Sequence, residues 1–185
     1  MVNDSYDVLI IGGGISASVF ASNYVKNNFN ARIAIIEAGR GLGGRSSTRF
    51  SSRFKGWKLN HGSPNLNICN IKKNQTLENF INELLAKNII KFDDSDLIIM
   101  NKENNLNLSD NFDFSKGNVF LSSSSMSELS SNIIKLNNLR NQIDFYFKTL
   151  IDELEFNKDH WILSSKNGKT FKSNYLVCSS NLLLH

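Results

Sequence analysis

Near the start of the 185-residue chain, Tyr6-Asp7-Val8-Leu9-Ile10-Ile11-Gly12-Gly13-Gly14-Ile15-Ser16-Ala17 joins a short apolar run directly to a cluster of glycines. The run Val8 to Ile11 has the length and composition of a strand in a parallel sheet, where both faces are buried. A helix must follow at once. Gly12 permits the tight turn, Gly14 has no Cβ to hold a pyrophosphate off the backbone, and Ala17 is small enough for the helix to pack close to the strand. The first helical residues, Ile15 and Ser16, then present unbonded N–H groups and the positive end of the helix dipole to an anion. The spacing predicts a helix over Ser16 to Val25 with a pyrophosphate site at its start.

The next segments agree with that reading. Arg32 to Ile36 is a second apolar, β-branched run, and Glu37 stands at its end, about 20 residues past the last small residue of the turn. A carboxylate there accepts hydrogen bonds from adenosine ribose hydroxyls and repels a 2′-phosphate, which argues against NADP in this pocket. A plain βαβ unit with an exposed Glu is the bland alternative. Arg40-Gly41-Leu42-Gly43-Gly44-Arg45 follows directly. Paired glycines flanked by arginines make a second place where backbone approaches a diphosphate while guanidinium groups balance its charge. A simple NAD domain does not need it, so the pattern points to FAD.

From Glu37 to Arg49 the chain resembles the FAD-dependent amine oxidase superfamily and, within it, the renalase-like oxidoreductases, which carry Glu-x-x-Arg-Gly-x-Gly-Gly-Arg followed by Thr-Arg. Leu59-Asn60-His61-Gly62-Ser63-Pro64 resembles the family segment that lies along the flavin, with Asn60 in place of the usual Asp. The resemblance implies a Rossmann-like FAD-binding domain whose cofactor contacts are Gly12, Gly14, Ile15, Ser16, Ala17, Glu37, Ala38, Arg40, Gly43, Gly44, Arg45, His61, Gly62 and Ser63. It adds the Thr149-Leu150 backbone, with Leu150 beside the adenine. His61 beside a glycine reads as a structural hydrogen-bonding group rather than a catalytic base. No catalytic acid, base or metal ligand is assigned.

Composition narrows the remaining classes. The hydrophobic content of 41% suffices for one core, and the net charge of +4 is spread along the chain without a nucleic-acid motif. The acidic, polar start is no signal peptide, and no apolar run is long enough to span a bilayer. The expectation is a cytoplasmic protein with no membrane or nucleic-acid partner. Cys69 and Cys178 lie far apart with no His or Cys at metal-ligand spacing, and both are expected to be buried thiols.

Further along, Phe50 to Leu59 alternates loosely, with Trp57 and Leu59 on one face. Leu77, Phe80, Ile81, Leu84 and Leu85 mark an amphipathic helix over 76–87. Ile89 to Phe92 and Leu97 to Met100 are short strand candidates around Asp93-Asp94-Ser95-Asp96, which lacks the glycine and distal Glu of a calcium loop and reads as a solvated turn. Residues 101–116 read as a long loop or irregular hairpin. Ser125 and Glu128 have the spacing of a capping box. Residues 143–147 and 150–156 and His160 to Ser164, with the Asn167-Gly168 turn and Thr170 to Lys172, make a small antiparallel meander, and Tyr175 to Cys178 returns to the parallel sheet.

The fold expected is α/β: a Rossmann-like domain over 1–75 and 117–185, with a parallel sheet and a small meander, and the start of a substrate or cap region over 76–116. In renalase-like proteins the return strand precedes most of a substrate domain and a C-terminal segment that meets the flavin. The resemblance therefore implies that the C-terminal part of the usual fold is missing, and that a complementing chain carrying it is a candidate partner. Two functions follow. One is an oxidoreductase passing a hydride from an amine or reduced nicotinamide to FAD; the other is a non-catalytic dinucleotide-binding remnant or one piece of a split flavoprotein. An NAD-dependent dehydrogenase leaves Arg40 to Arg49 without a role.

Overall fold

Strand β1 (Ser5–Ile11) runs through the middle of the central sheet in the computed structural model, which describes residues 5–93, 98–108, 117–136 and 142–180. Its apolar run is buried on both sides, as are all four residues of β2 (Ile33–Ile36), reached through helix α1 (Ile15–Asn27). The two strands pair in parallel, Val8 opposite Ile33 and Ile11 opposite Ile36. The chain then leaves the sheet for a separate hairpin, β3 (Thr48–Phe50) with β4 (Lys58–Asn60).

A second layer follows. Strands β5 (Leu66–Ile68) and β6 (Ile90–Phe92) flank helix α2 (Gln75–Ala86), whose first turn is capped by the Asn74 side chain accepting from the Leu77 amide at 3.0 Å. Strands β7 (Ile98–Met100) and β8 (Leu106–Leu108) form a hairpin, so within the segment read as a loop or irregular hairpin Leu106 to Leu108 pair back onto the preceding strand. The Asp94-Ser95-Asp96 part of the carboxylate cluster lies outside the described residues. Strand β9 (Asn118–Ser122) pairs antiparallel with both β5 and β6, and a 3₁₀ turn leads into α3 (Leu129–Lys135). The capping box does not form. Tight winding bonds the Glu128 amide to the Ser125 carbonyl at 3.0 Å, and the Ser125 hydroxyl instead donates to the Glu128 carboxylate at 2.9 Å.

The chain returns through β10 (Ile143–Tyr146), then β11 (Ile151–Asn157), β12 (His160–Ser165) and β13 (Thr170–Cys178). The sheet order is β10-β2-β1-β13-β12-β11, parallel from β10 to β13 and antiparallel beyond. Two sequence expectations change here. Strand β10 is not part of the meander but pairs in parallel with β2. The two segments at 170–172 and 175–178 are one nine-residue strand, because Thr170 to Ser173 pair with β12 while Lys172 to Cys178 run beside β1.

Three apolar clusters hold these layers together. Val8 and Ile10 pack with Ala17, Ala21 and Val25 of α1 and Ile134 of α3, so Ala17 serves the close helix–strand contact. On the other face, Tyr6, Leu9 and Ile36 meet Ile151, Leu163 and Phe171 of the meander. The third cluster joins Ile81 and Leu84 of α2 to Ile90, Phe120, Leu129 and Ile133. Truncating a fully buried residue such as Leu9 to Ala costs about 2–5 kcal/mol. Across the sheet, the buried Tyr6 hydroxyl donates to Asp144 at 2.8 Å and lies 2.6 Å from the Tyr146 hydroxyl, and burial pushes its phenol well above the ordinary tyrosine range. Cys69 and Cys178 are both exposed and outside any disulfide, contrary to the expectation of buried thiols. Each sits where a strand ends, Cys69 just after β5 and Cys178 at the last position of β13. No helix of the described residues is long and apolar enough to cross a membrane.

Candidate functional site

The carboxyl ends of β1, β2 and β13 converge on the glycine turn, the position where open α/β sheets bind ligands. The Gly12 amide bonds the Ile36 carbonyl at 2.8 Å, and the Ser179 amide bonds the Ile11 carbonyl at 2.9 Å. Gly12 has a φ of 97°, and a Cβ there would stand 3.2 Å from the Ser180 Cβ, so both backbone conformation and crowding require glycine. Gly14 has open space where a Cβ would stand, and α1 begins at the next residue. The helix amides at 15–17 have no acceptor within the helix.

The second glycine loop is docked onto the first. The Gly43 amide bonds the Gly13 carbonyl at 2.8 Å, and a Cβ on Gly44 would come within 3.2 Å of the Gly14 Cα. Glu37 is fixed between the loops, with one carboxylate oxygen accepting from the Gly13 amide and the other from the Gly39 amide, both at 2.6 Å. Each oxygen keeps a further lone pair for a ligand hydroxyl. The base of the β3–β4 hairpin completes the wall. The Ser63 amide bonds the Arg45 carbonyl at 2.8 Å, and a Cβ on Gly62 would lie 1.9 Å from that same oxygen.

The result is a cavity of about 810 Å³ lined by Gly12, Gly13, Gly14, Ile15, Ser16, Glu37, Gly43, Gly44, Arg45, Ser46, Ser47, Gly62, Ser63, Ser179 and Ser180. Ten of the residues singled out in the sequence stand in this wall: Gly12, Gly14, Ile15, Ser16, Glu37, Gly43, Gly44, Arg45, Gly62 and Ser63. Ala17 is buried beneath it in the core. Ala38 and Arg40 are exposed outside the lining, as is the His61 ring, whose backbone amide bonds the Ser47 carbonyl at 3.1 Å. Leu150 is also exposed outside the lining, although the amide of neighbouring Thr149 bonds the Glu37 carbonyl at 3.1 Å.

The structure adds Gly13, Ser46, Ser47, Ser179 and Ser180 to the wall. The signal for the last two was their place directly after the return strand, at the switch point beside β1. The Ser179 hydroxyl is buried with no hydrogen-bond partner among the described residues.

Glu37 and Arg45 are the charged side chains of this wall, and the rest is amide, hydroxyl and glycine. The described residues contain no group of three or more His, Cys, Asp or Glu side chains suited to a metal. The open space at Gly14, the unbonded helix amides, Arg45 and a carboxylate with spare lone pairs fit a dinucleotide, and the volume lies in the usual range for a bound small molecule, about 300–1,000 Å³.

Residues 10–84 match the family model described as an NAD(P)-binding Rossmann-like domain. No curated protein matches the sequence. Among solved structures, the chain is similar to a putative protoporphyrinogen oxidase from Exiguobacterium sp. 255-15, at 12% identity over 97% of this chain and 60% of that one, with a TM-score of 0.65. It is also similar to the tetracycline destructase Tet(55), at 14% identity over 99% of this chain and 40% of that one, with a TM-score of 0.56. A cyclohexanone monooxygenase mutant from Rhodococcus sp. Phi1, bound to NADP+, aligns at 15% identity over 98% of this chain and 27% of that one, with a TM-score of 0.51. At these identities the likeness is one of fold, and the chain spans between 27% and 60% of these proteins' lengths. The fold is α/β and Rossmann-like, with a mainly parallel central sheet and separate antiparallel sheets.

Proposed function

We propose that this chain binds FAD and belongs to an oxidoreductase of the renalase-like, amine oxidase kind. The observation that carries the proposal is the docking of the second glycine loop on the first, with Arg45 and Gly62-Ser63 closing a single cavity around both. A single-loop NAD site has no use for that second wall. In this reading the amides at the start of α1 and the Arg45 guanidinium hold the pyrophosphate, and Glu37 accepts the ribose hydroxyls. Ser46, Ser47, Gly62 and Ser63 border the remainder of the cofactor, while Ala38, Arg40 and the Leu150 backbone flank its adenosine end.

FAD, when bound, supplies the hydride-accepting centre. The residues of this chain bind and orient it, since the wall contains no acid–base pair to move a proton. The substrate is an amine or a reduced nicotinamide, and a complementing chain is the partner that would supply a substrate wall. The experiment is anaerobic mixing of the FAD-loaded chain with a panel of amines and with NADH. Bleaching of the visible flavin band by one of them supports an oxidoreductase; a band that no donor bleaches favours a cofactor-binding module without turnover. A second reading, NAD binding, draws on the family description of residues 10–84. Calorimetric titration separates the two, because the FAD reading requires tighter binding of FAD than of NAD.

A further inference from the structure

The β3–β4 hairpin carries features that a nucleotide cavity does not use. It is a two-stranded sheet joined to no other, and no residue from 47 to 70 is fully buried. Phe50, Phe54, Trp57 and Leu59 on it are 65%, 57%, 73% and 66% exposed, so this is a cluster of large apolar groups rather than one stray ring. Phe54 and Trp57 pack on each other at the turn, with ring centroids 5.8 Å apart. The same hairpin carries Arg49, Arg53, Lys55 and Lys58; from residue 38 to residue 77 the chain has eight Lys and Arg and no Asp or Glu. Among the described residues no ion pair engages Arg49, Arg53 or Lys55.

We propose that this hairpin docks the protein onto an anionic lipid surface, with Phe54 and Trp57 entering the headgroup boundary. Charge complementarity selects the partner: a hairpin whose own sequence carries several cations and no carboxylate is attracted to acidic headgroups, and Arg and Lys can leave their stems among the chains while their charges stay in water. Tryptophan is the side chain that favours this boundary. Four of the turn's backbone amides are bonded within the hairpin, which lowers the cost of entering a less polar medium. The Ser51 amide bonds the Trp57 carbonyl at 2.9 Å and the Trp57 amide bonds the Phe54 carbonyl at 3.1 Å. The Ser51 hydroxyl oxygen accepts from the amides of Arg53 and Phe54 at 3.2 and 2.9 Å. A nucleic-acid stacking platform fits less well, because the two turn rings are tilted 44° to each other at 5.8 Å and present no pair of parallel faces for a base to enter.

The test is co-sedimentation of the full chain with vesicles of phosphatidylcholine alone or mixed with phosphatidylserine. The wild-type chain sediments with the mixed vesicles and not with neutral ones, and salt releases it. The double variants Arg53→Glu/Lys55→Glu and Phe54→Ala/Trp57→Ala each lower binding by about tenfold or more while keeping the wild-type circular dichroism, since these groups are exposed. With Trp161→Phe, the remaining tryptophan is Trp57, and its emission shifts to the blue on mixed vesicles. Absence of sedimentation, equal binding to neutral vesicles, or undiminished binding by both double variants overturns the proposal. Single-stranded RNA binding lost in the same variants, without vesicle binding, would replace it with a nucleic-acid surface.

Discussion

Replacing Gly62 with Ala probes the join between the hairpin and the second glycine loop. The new methyl would stand 1.9 Å from the Arg45 carbonyl oxygen and 2.8 Å from the Ser47 Oγ. The first obstacle is backbone, so no rotamer change relieves it, and the hairpin base must move off the loop. That movement breaks the Ser63-to-Arg45 hydrogen bond of 2.8 Å. Overpacking of this kind costs about 1–3 kcal/mol and the lost bond about 0.5–1.5 kcal/mol, together about 1.5–4.5 kcal/mol. The hairpin contributes no fully buried residue to the core, so the cost falls on the cavity wall rather than on global unfolding. We expect the FAD dissociation constant to rise by about 10-fold to 2,000-fold. The thermal midpoint of the cofactor-free chain should move by less than about 4 °C. Fluorescence titration of FAD measures the first and circular dichroism the second. Gly41→Ala is the control, because nothing lies within 4 Å of the position its Cβ would take. A folded Gly62→Ala protein whose affinity stays within about threefold of wild type would refute the reasoning.

Further predictions concern single side chains. Arg45→Ala removes the guanidinium from the cavity wall and should weaken FAD binding by about 1.5–3 kcal/mol in calorimetry; unchanged affinity removes the second loop from the account. Ser179→Ala deletes a buried hydroxyl that has no partner among the described residues, so the cofactor-free chain should melt at or slightly above the wild-type temperature. The same variant should bind FAD about 3- to 10-fold more weakly, and equal binding would show that the hydroxyl meets no ligand atom. Tyr6 tests linkage at high pH. Burial keeps its proton in the fold, whereas the unfolded chain releases it near a pKa of about 10. Its contribution is therefore intact below about pH 10 and is lost above it at about 1.4 kcal/mol per pH unit. Tyr6→Phe should cost about 1–3 kcal/mol at neutral pH, through two lost hydrogen bonds, and flatten the alkaline slope in urea unfolding. An unchanged slope would remove Tyr6 as its source. Partial desolvation raises the Cys178 thiol although the residue is exposed, so its alkylation at neutral pH should be slower than that of a free thiol in solution, and an equal or faster rate would contradict its placement.

The parts of this fold that were legible in the sequence are those whose physics is local. Val8 to Ile11 and Ile33 to Ile36 read as strands because burial on both faces leaves an unbroken apolar run, and α2 read as a helix because its apolar stripe repeats at 3.6 residues. Gly12 was legible because few residues adopt its φ. Long-range docking was not. Ile143 to Tyr146 alternates like a meander strand, and nothing in those four residues states that they pair in parallel with β2. The polar pair Ser173-Asn174 separates segments 170–172 and 175–178 in the sequence, while Lys172 and Ser173, paired with β12 on one side and β1 on the other, join them into one strand. Ser179 and Ser180 reach the cavity because β13 ends beside β1, a fact of sheet order rather than of composition. The Ser125 hydroxyl turned to the Glu128 side chain because the intervening turn is 3₁₀ and not α.

The measurement that bears most directly on the proposed cofactor is the visible absorption spectrum of the 185-residue chain after incubation with FAD and gel filtration. The account predicts flavin bands that co-elute with the protein, and excess NAD should not displace them. A colourless protein peak, or one from which NAD removes the flavin, would contradict the assignment of the double-loop cavity to FAD.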